Sequence, residues 1–411
     1  MTAGPVDLAL SNDSTVHVRP LGYRCERDRW TVGSLETGEA VELPEIAVTV
    51  LRALEDGKTL RAASLLALRT HGEEPDVRSF VEDLAELGFV RLAEDEPAEP
   101  PVHQAAGLSL PWLTPRQVSW AFRPASVITI AAFILFAFAF AVARGRLGLG
   151  YRDFFVSGYP GVSLAWSVGV VTVTAVLHEF WHLAAARSAG IPARISMSTR
   201  LIFLSAQTAA PLMWLAPRRA RLCFYLAGMT CDLLLAAGCA LVAAGCRSGT
   251  LPAAMAGSAT LILLLCVVYQ FAFCLRTDIY LVVQELLRCR NLFEDARAYA
   301  RYQAARVRPR NRGKQLPPDP SCELPEHERR PVRVYCVFMV LGSAGLLAFS
   351  AAYGLPITVV ACVRAVQGVL SAQPSRVLDG LAALAIEGGS QALLLHLLRL
   401  RWKRRIRSGR A

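Results

Sequence analysis

The chain has no C-x-x-C pair and no regular cysteine spacing, although it carries 11 cysteines in 411 residues. That excludes a disulfide framework and a cysteine-held zinc. Most of the thiols (Cys223, Cys231, Cys239, Cys246, Cys266, Cys274, Cys336, Cys362) stand in apolar stretches, where cysteine is a small buried hydrophobe. Residues 1–20 hold no apolar run of useful length, so no signal peptide is expected there. Charge is sparse, at 19% of residues against 54% hydrophobic, and the mean hydropathy is +0.37. These values exclude a wholly soluble protein and point to a polytopic membrane protein with room for one soluble domain.

The charge that is present is divided. Residues 1–100 hold 20 Asp/Glu against 10 Lys/Arg, a net of −10, while the other 311 hold 13 against 34, a net of +21. The expected organisation is mainly α: a polytopic membrane helix bundle of about six spans preceded by a small N-terminal α+β winged-helix-like domain. The domains expected are 1–95, a proline-rich linker 96–124, a membrane core 125–300, a basic loop 301–332, and C-terminal spans with a basic tail 333–411. Within the first, 29–35 and 39–43 read as strands around Thr37-Gly38. Residues 46–54, 60–68 and 76–87 carry helical apolar spacing, and 89–92 closes as a strand. In the linker, Trp112 and Trp120 suit a membrane interface.

Spans are expected at 126–143, 161–186, 222–246, 251–275 and 334–355, with a weaker sixth at 378–400 interrupted by Asp379, Glu387 and Gly388-Gly389. Basic residues then fall on one side: six arginines over 187–221, twelve Lys/Arg over 276–332 and seven from Arg399 to Arg410. By the positive-inside rule both termini are expected to be cytoplasmic, in a multi-pass protein of the cell membrane. The arginine run 306–314 reads as a solvated topology signal.

Residues 178–182 read His-Glu-Phe-Trp-His inside the second span. On a helix, i and i+4 share a face, so His178 and His182 can hold one zinc ion, with Glu179 alongside to accept a proton from attacking water. Ionisable side chains in apolar segments are costly and mark function. A catalytic zinc needs a third protein ligand. A histidine ten residues after the first is ruled out by Ser188, and between 183 and 284 the acidic residues are Asp232 and Asp278 alone. His182 lies ~7–8 Å from the boundary at Arg187. Asp278 follows Arg276 at the same boundary, whereas Asp232 is nearer mid-membrane. Asp278 is therefore favoured as ligand, and Asp232 as a neighbour orienting a ligand or substrate. Asp379, in Leu378-Asp379-Gly380, competes as runner-up, although the topology puts it across the bilayer. Glu387 and His396 point to opposite faces of one helix; His17, His71, His103 and His327 read as solvated, and Trp181 as a packing or interface residue.

Leu177-His178-Glu179-Phe180-Trp181-His182, Ala227-Gly228-Met229-Thr230-Cys231-Asp232 and Arg276-Thr277-Asp278-Ile279-Tyr280, with Arg290-Asn291-Leu292-Phe293 following, together resemble the site-2 protease family of intramembrane zinc metalloproteases, in particular its peptide zinc metalloprotease branch. The resemblance covers about 126–300. It implies Zn2+ on His178, His182 and Asp278, Glu179 as general base, and Asp232 at a polar site position. Ile279 replaces the family's usual glycine and Met229 its usual proline, departures that bear on backbone geometry and activity.

Residues 30–92, through Ala40-Val41-Glu42-Leu43, 51–57 and Glu86-Leu87-Gly88-Phe89-Val90, resemble PqqD-like domains that bind leader segments of ribosomally made peptides. A purely structural unit and DNA binding are the alternatives for this domain. The net of −10 opposes phosphate contact, so no nucleic-acid partner is expected. Together the resemblances imply a protease removing the leader of a ribosomally synthesised, modified peptide, acting on a membrane-associated precursor in the lipid bilayer beside a transporter or peptide-modifying enzymes. A non-catalytic peptide-binding, immunity or transport partner, and a protease cleaving a transmembrane signalling protein, stand as alternatives.

Overall fold

The computed structural model describes residues 11, 13–26, 29–36, 38–91, 109–200, 203–307 and 318–408. Thr37, Leu92, His103, the linker stretch 96–108 and the arginine run from 308 to 314 lie outside the described residues. The chain forms two compact units. One comprises Met1–Pro111 with Ile191–Arg194 and Ala209–Pro217; the other comprises Trp112–Gly190, Ile195–Thr208 and Arg218–Ala411.

The first unit is a small α+β body. Strands β2 (Leu21–Glu26), β3 (Arg29–Ser34) and β4 (Ala40–Leu43) form an antiparallel meander, while β1 (His17–Val18) pairs with β5 (Val90–Arg91). Helices α1 (Glu45–Glu55), α2 (Leu60–His71) and α3 (Val77–Glu86) lie between β4 and β5 in the chain. Thr59 accepts from the Ala62 N–H and Asp76 from the Ser79 N–H, which fixes the starts of α2 and α3. Val48, Leu51 and Leu54 recur at helical spacing on α1 and pack with Val32, Leu60, Val81, Leu84 and Phe89 into one core. Each such side chain contributes about 1.5–3 kcal/mol by leaving water. The three helices and the three later strands follow the sequence expectation. β1 and β2 were not anticipated, because charges and Pro20 break the alternation there. The segment Ala209–Pro217 was read as plain loop, yet it belongs to this unit. Its Trp214 ring lies so close over Gly33 that a Cβ there would come within 2.6 Å.

Among the described residues, the second unit contains six helices long and apolar enough to cross a membrane, which makes the chain a multi-pass membrane protein. They are α4 (Pro124–Ala143), α5 (Pro160–Ser188), α6 (Arg218–Gly245), α7 (Leu251–Gln270), a continuous rod of α10 (Glu326–Phe349) and α11 (Leu355–Val369) joined by a π turn at Ser350–Gly354, and α12 (Pro374–Ser408). Between them lie the hairpin β6 (Arg194–Arg200) and β7 (Phe203–Ala209), and helices α8 (Asp278–Leu287) and α9 (Leu292–Val307). α6 packs against α4, α5, α7 and α8. Its buried face is mostly alanine (Ala236, Ala237, Ala240, Ala243, Ala244), which lets neighbouring backbones approach where lipid offers no hydrophobic drive. The fifth span runs well past 355: its 44 helical residues reach about 66 Å at helical rise, twice the hydrocarbon thickness, so its polar start belongs outside the apolar layer. Trp112 and Trp120 are exposed just ahead of α4.

Candidate metal centre

The C-terminal half of α5 carries the His-Glu-Phe-Trp-His run, and the helical period places both imidazoles on the face toward α6. His178 Nε2 lies 3.0 Å from Asp278 Oδ2, His182 Nε2 lies 3.3 Å from the same oxygen, and the two Nε2 atoms are 3.2 Å apart. His178, His182 and Asp278 are the group among the described residues whose ligand atoms could hold a metal ion. The triangle matches one face of a tetrahedral site, since metal–ligand bonds of about 2.0–2.1 Å separate ligand atoms by roughly 3.3 Å.

Proton bookkeeping sharpens this. The Phe224 carbonyl can only accept, and His182 Nδ1 donates to it at 2.7 Å. The neutral His182 ring therefore turns a lone pair inward from Nε2. The Asp232 carboxylate takes the Nδ1–H of His178 at 3.0 Å, leaving that Nε2 a lone pair as well. With Asp278 Oδ2 added, three acceptors face one another, and only a cation in their midst or a proton on one ring relieves the repulsion. Such a donor set, with both outer ring nitrogens fixed by carboxylate and carbonyl, is the kind that holds a catalytic divalent metal.

Each of these side chains has its own support. A Cβ on Gly228 would overlap the His178 ring, so α6 must offer glycine at that point. Asp278 opens α8 just beyond the fourth span; its N–H donates to Gln270 Oε1 at 3.2 Å, and Gln270 Nε2 donates to Asp278 Oδ2 at 3.4 Å. Asp232 is 2% exposed, and its Oδ1 is buried without a partner. Glu179, one residue around the helix, accepts at Oε2 from the Thr208 N–H (2.6 Å) and the Thr208 hydroxyl (2.7 Å). Trp181 packs its ring 6.2 Å from Phe122.

The structure thus brings together His178, His182, Asp278 and Asp232, with Glu179 beside them. It does not bring Asp379. That carboxylate accepts from the Gly161 and Val162 N–H groups at 3.1 and 2.9 Å and so caps the start of α5. Seventeen residues of helix, about 25 Å, separate this cap from His178. The runner-up ligand is instead a helix cap that ties α12 to α5. Glu387 and His396 both sit on α12, and Glu387 faces Thr358 at 3.5 Å. His71 pairs with Thr49 and His327 with Glu328.

Sequence reading missed Thr208, Phe224 and Gln270. Gln270 had a faint signal, an amide ending an apolar run eight residues before Asp278; the other two had none. No family model, curated protein or solved structure matches the chain.

Proposed function

We propose that the chain is an intramembrane zinc metallopeptidase that cleaves a peptide precursor at the membrane. The observation that carries the reading is the convergence of His178 Nε2, His182 Nε2 and Asp278 Oδ2 within 3.3 Å of one another. The resemblance of the same segments to site-2 proteases supports the choice of zinc and of peptide hydrolysis. A zinc ion on these three residues supplies Lewis acidity toward a scissile carbonyl and toward water.

The remaining chemistry belongs to the chain. Asp232 and the Phe224 carbonyl hold the two imidazoles in the tautomer that presents Nε2. Thr208 occupies Glu179 Oε2 twice, so Oε1 is the atom left to take a proton from attacking water and return it to the departing amine. The water path lies on the side of the arginine-rich segments, which we assign to the cytoplasm together with both termini.

The substrate class follows from the N-terminal unit. A PqqD-like body before the first span would tether a leader segment and raise its local concentration, which favours leader removal from a ribosomally synthesised, modified peptide, in company with its modifying enzymes or exporter. The test is cleavage of a fluorescent unfolded protein by the full-length chain in lipid nanodiscs. Wild type is expected to cleave, and Glu179→Gln to lose cleavage while keeping its metal. Equal cleavage by both would remove Glu179 from the reaction and the reading with it.

A further inference from the structure

We infer that a cavity at the end of the helix bundle opposite the histidines binds a phosphate group, and that its two arginines, Arg146 and Arg152, recognise it. The cavity measures about 520 Å³ and lies between the end of α4, the turn Tyr151–Phe154, the end of α6 and the first turns of α7. Arg146 and Arg152 line it. Arg146 is half-buried and makes no ion pair among the described residues; Arg152 reaches no further than the Tyr151 hydroxyl, at 3.4 Å. The one acidic group in the wall, Asp153, is occupied by the Gly150 N–H at 2.9 Å. Two guanidinium groups against one engaged carboxylate leave the cavity positive. Forked N–H donors of this kind match phosphate oxygens better than they match water.

Depth adds a second argument. Arg146 stands three residues beyond the end of α4, and Thr250 directly precedes α7. The other end of α7 leads to Asp278, and Gly161, near the same end as the cavity, is a helix length from His178. The cavity therefore sits where spans meet water, at the phosphate layer of a bilayer. Its wall mixes these arginines with Phe155 and Leu251, so it offers charge to a headgroup and apolar surface to what the headgroup is attached to. A lipid headgroup and free phosphate share this chemistry. The inference does not depend on the peptidase reading.

Native mass spectrometry of the delipidated full-length chain in detergent, titrated with phosphatidylglycerol, tests it. Wild type is expected to retain one phosphatidylglycerol, and Arg146→Gln with Arg152→Gln to bind at least about tenfold more weakly. Arg146→Lys with Arg152→Lys, which keeps the charge but not the fork, is expected to recover part of that loss, separating recognition from misfolding. Displacement of the lipid by millimolar inorganic phosphate would identify free phosphate as a sufficient ligand, and its failure to displace would identify the lipid-borne group. Equal retention of phosphatidylglycerol by wild type and the glutamine variant would overturn the proposal.

Discussion

Glu179 is held by a single residue that donates twice, and this makes Thr208 the most informative side chain outside the ligand set. The Thr208 N–H survives substitution by valine, but its hydroxyl, 2.7 Å from Oε2, does not. A hydrogen bond to a charged group is worth about 1.5–3 kcal/mol. Thr208→Val is therefore expected to slow cleavage roughly 10–100-fold, with zinc content unchanged and Thr208→Ser restoring the rate. An unaltered rate in the valine variant would remove that role. Asp232 acts one bond further out. Asp232→Asn loses the charge that draws the His178 Nδ1–H, and is expected to weaken zinc binding by about 10–100-fold in competition with a chromophoric chelator. Affinity equal to wild type would mean that His178 needs no such partner. At this scale the sequence was legible wherever chemistry was local: the i, i+4 histidines and the adjacent glutamate follow from helical periodicity alone. Asp278 was legible for a different reason, the scarcity of acidic residues between 183 and 284. Thr208 and Phe224 were not legible, because their contacts depend on which strand and which helix face pack beside α5.

Among elements, the placement of α8 decides whether Asp278 meets the histidines. Seven residues after Asp278, Glu285 accepts from Arg221 Nε at 3.0 Å and from its terminal nitrogen at 2.6 Å, with Arg218 3.7 Å away. Arg221, 4% exposed, belongs to α6, the helix that also supplies Asp232, Gly228 and the Phe224 carbonyl. This two-point ion pair locks α8 to α6. Arg221 is buried and Glu285 partly so, and losing the negative charge of such a charge-assisted hydrogen bond costs about 1.5–3 kcal/mol. Glu285→Gln is therefore expected to lower the thermal midpoint and zinc affinity together, whereas a change in neither would make the pair dispensable. The sequence reading placed these arginines only as a topology signal, since a basic run beside a span looks the same whether solvated or clamped. The hairpin β6–β7 was hidden for a related reason: it lies in a stretch read as loop between spans, and its role is set by what it touches. Asp379 stayed a runner-up ligand in the sequence because Asp-Gly is a local pattern, while its cap on α5 pairs residues more than two hundred apart in sequence.

For the whole molecule, the six apolar helices among the described residues put the histidine pair toward one end of the bundle, and Asp379 and the cavity beside Arg146 toward the other. Reporter fusions at residue 300 and at the C-terminus are expected to report the cytoplasmic side, and a fusion at residue 248 the opposite one. A cytoplasmic signal at 248 would break the six-span order. The central claim remains the assembly of one metal site from α5 and α8 at a single membrane face. Zinc analysis of the purified full-length chain tests it most directly. The account predicts one zinc per wild-type chain, loss in His178→Ala and Asp278→Ala, and full retention in Asp379→Ala. Stoichiometric zinc in Asp278→Ala would contradict it.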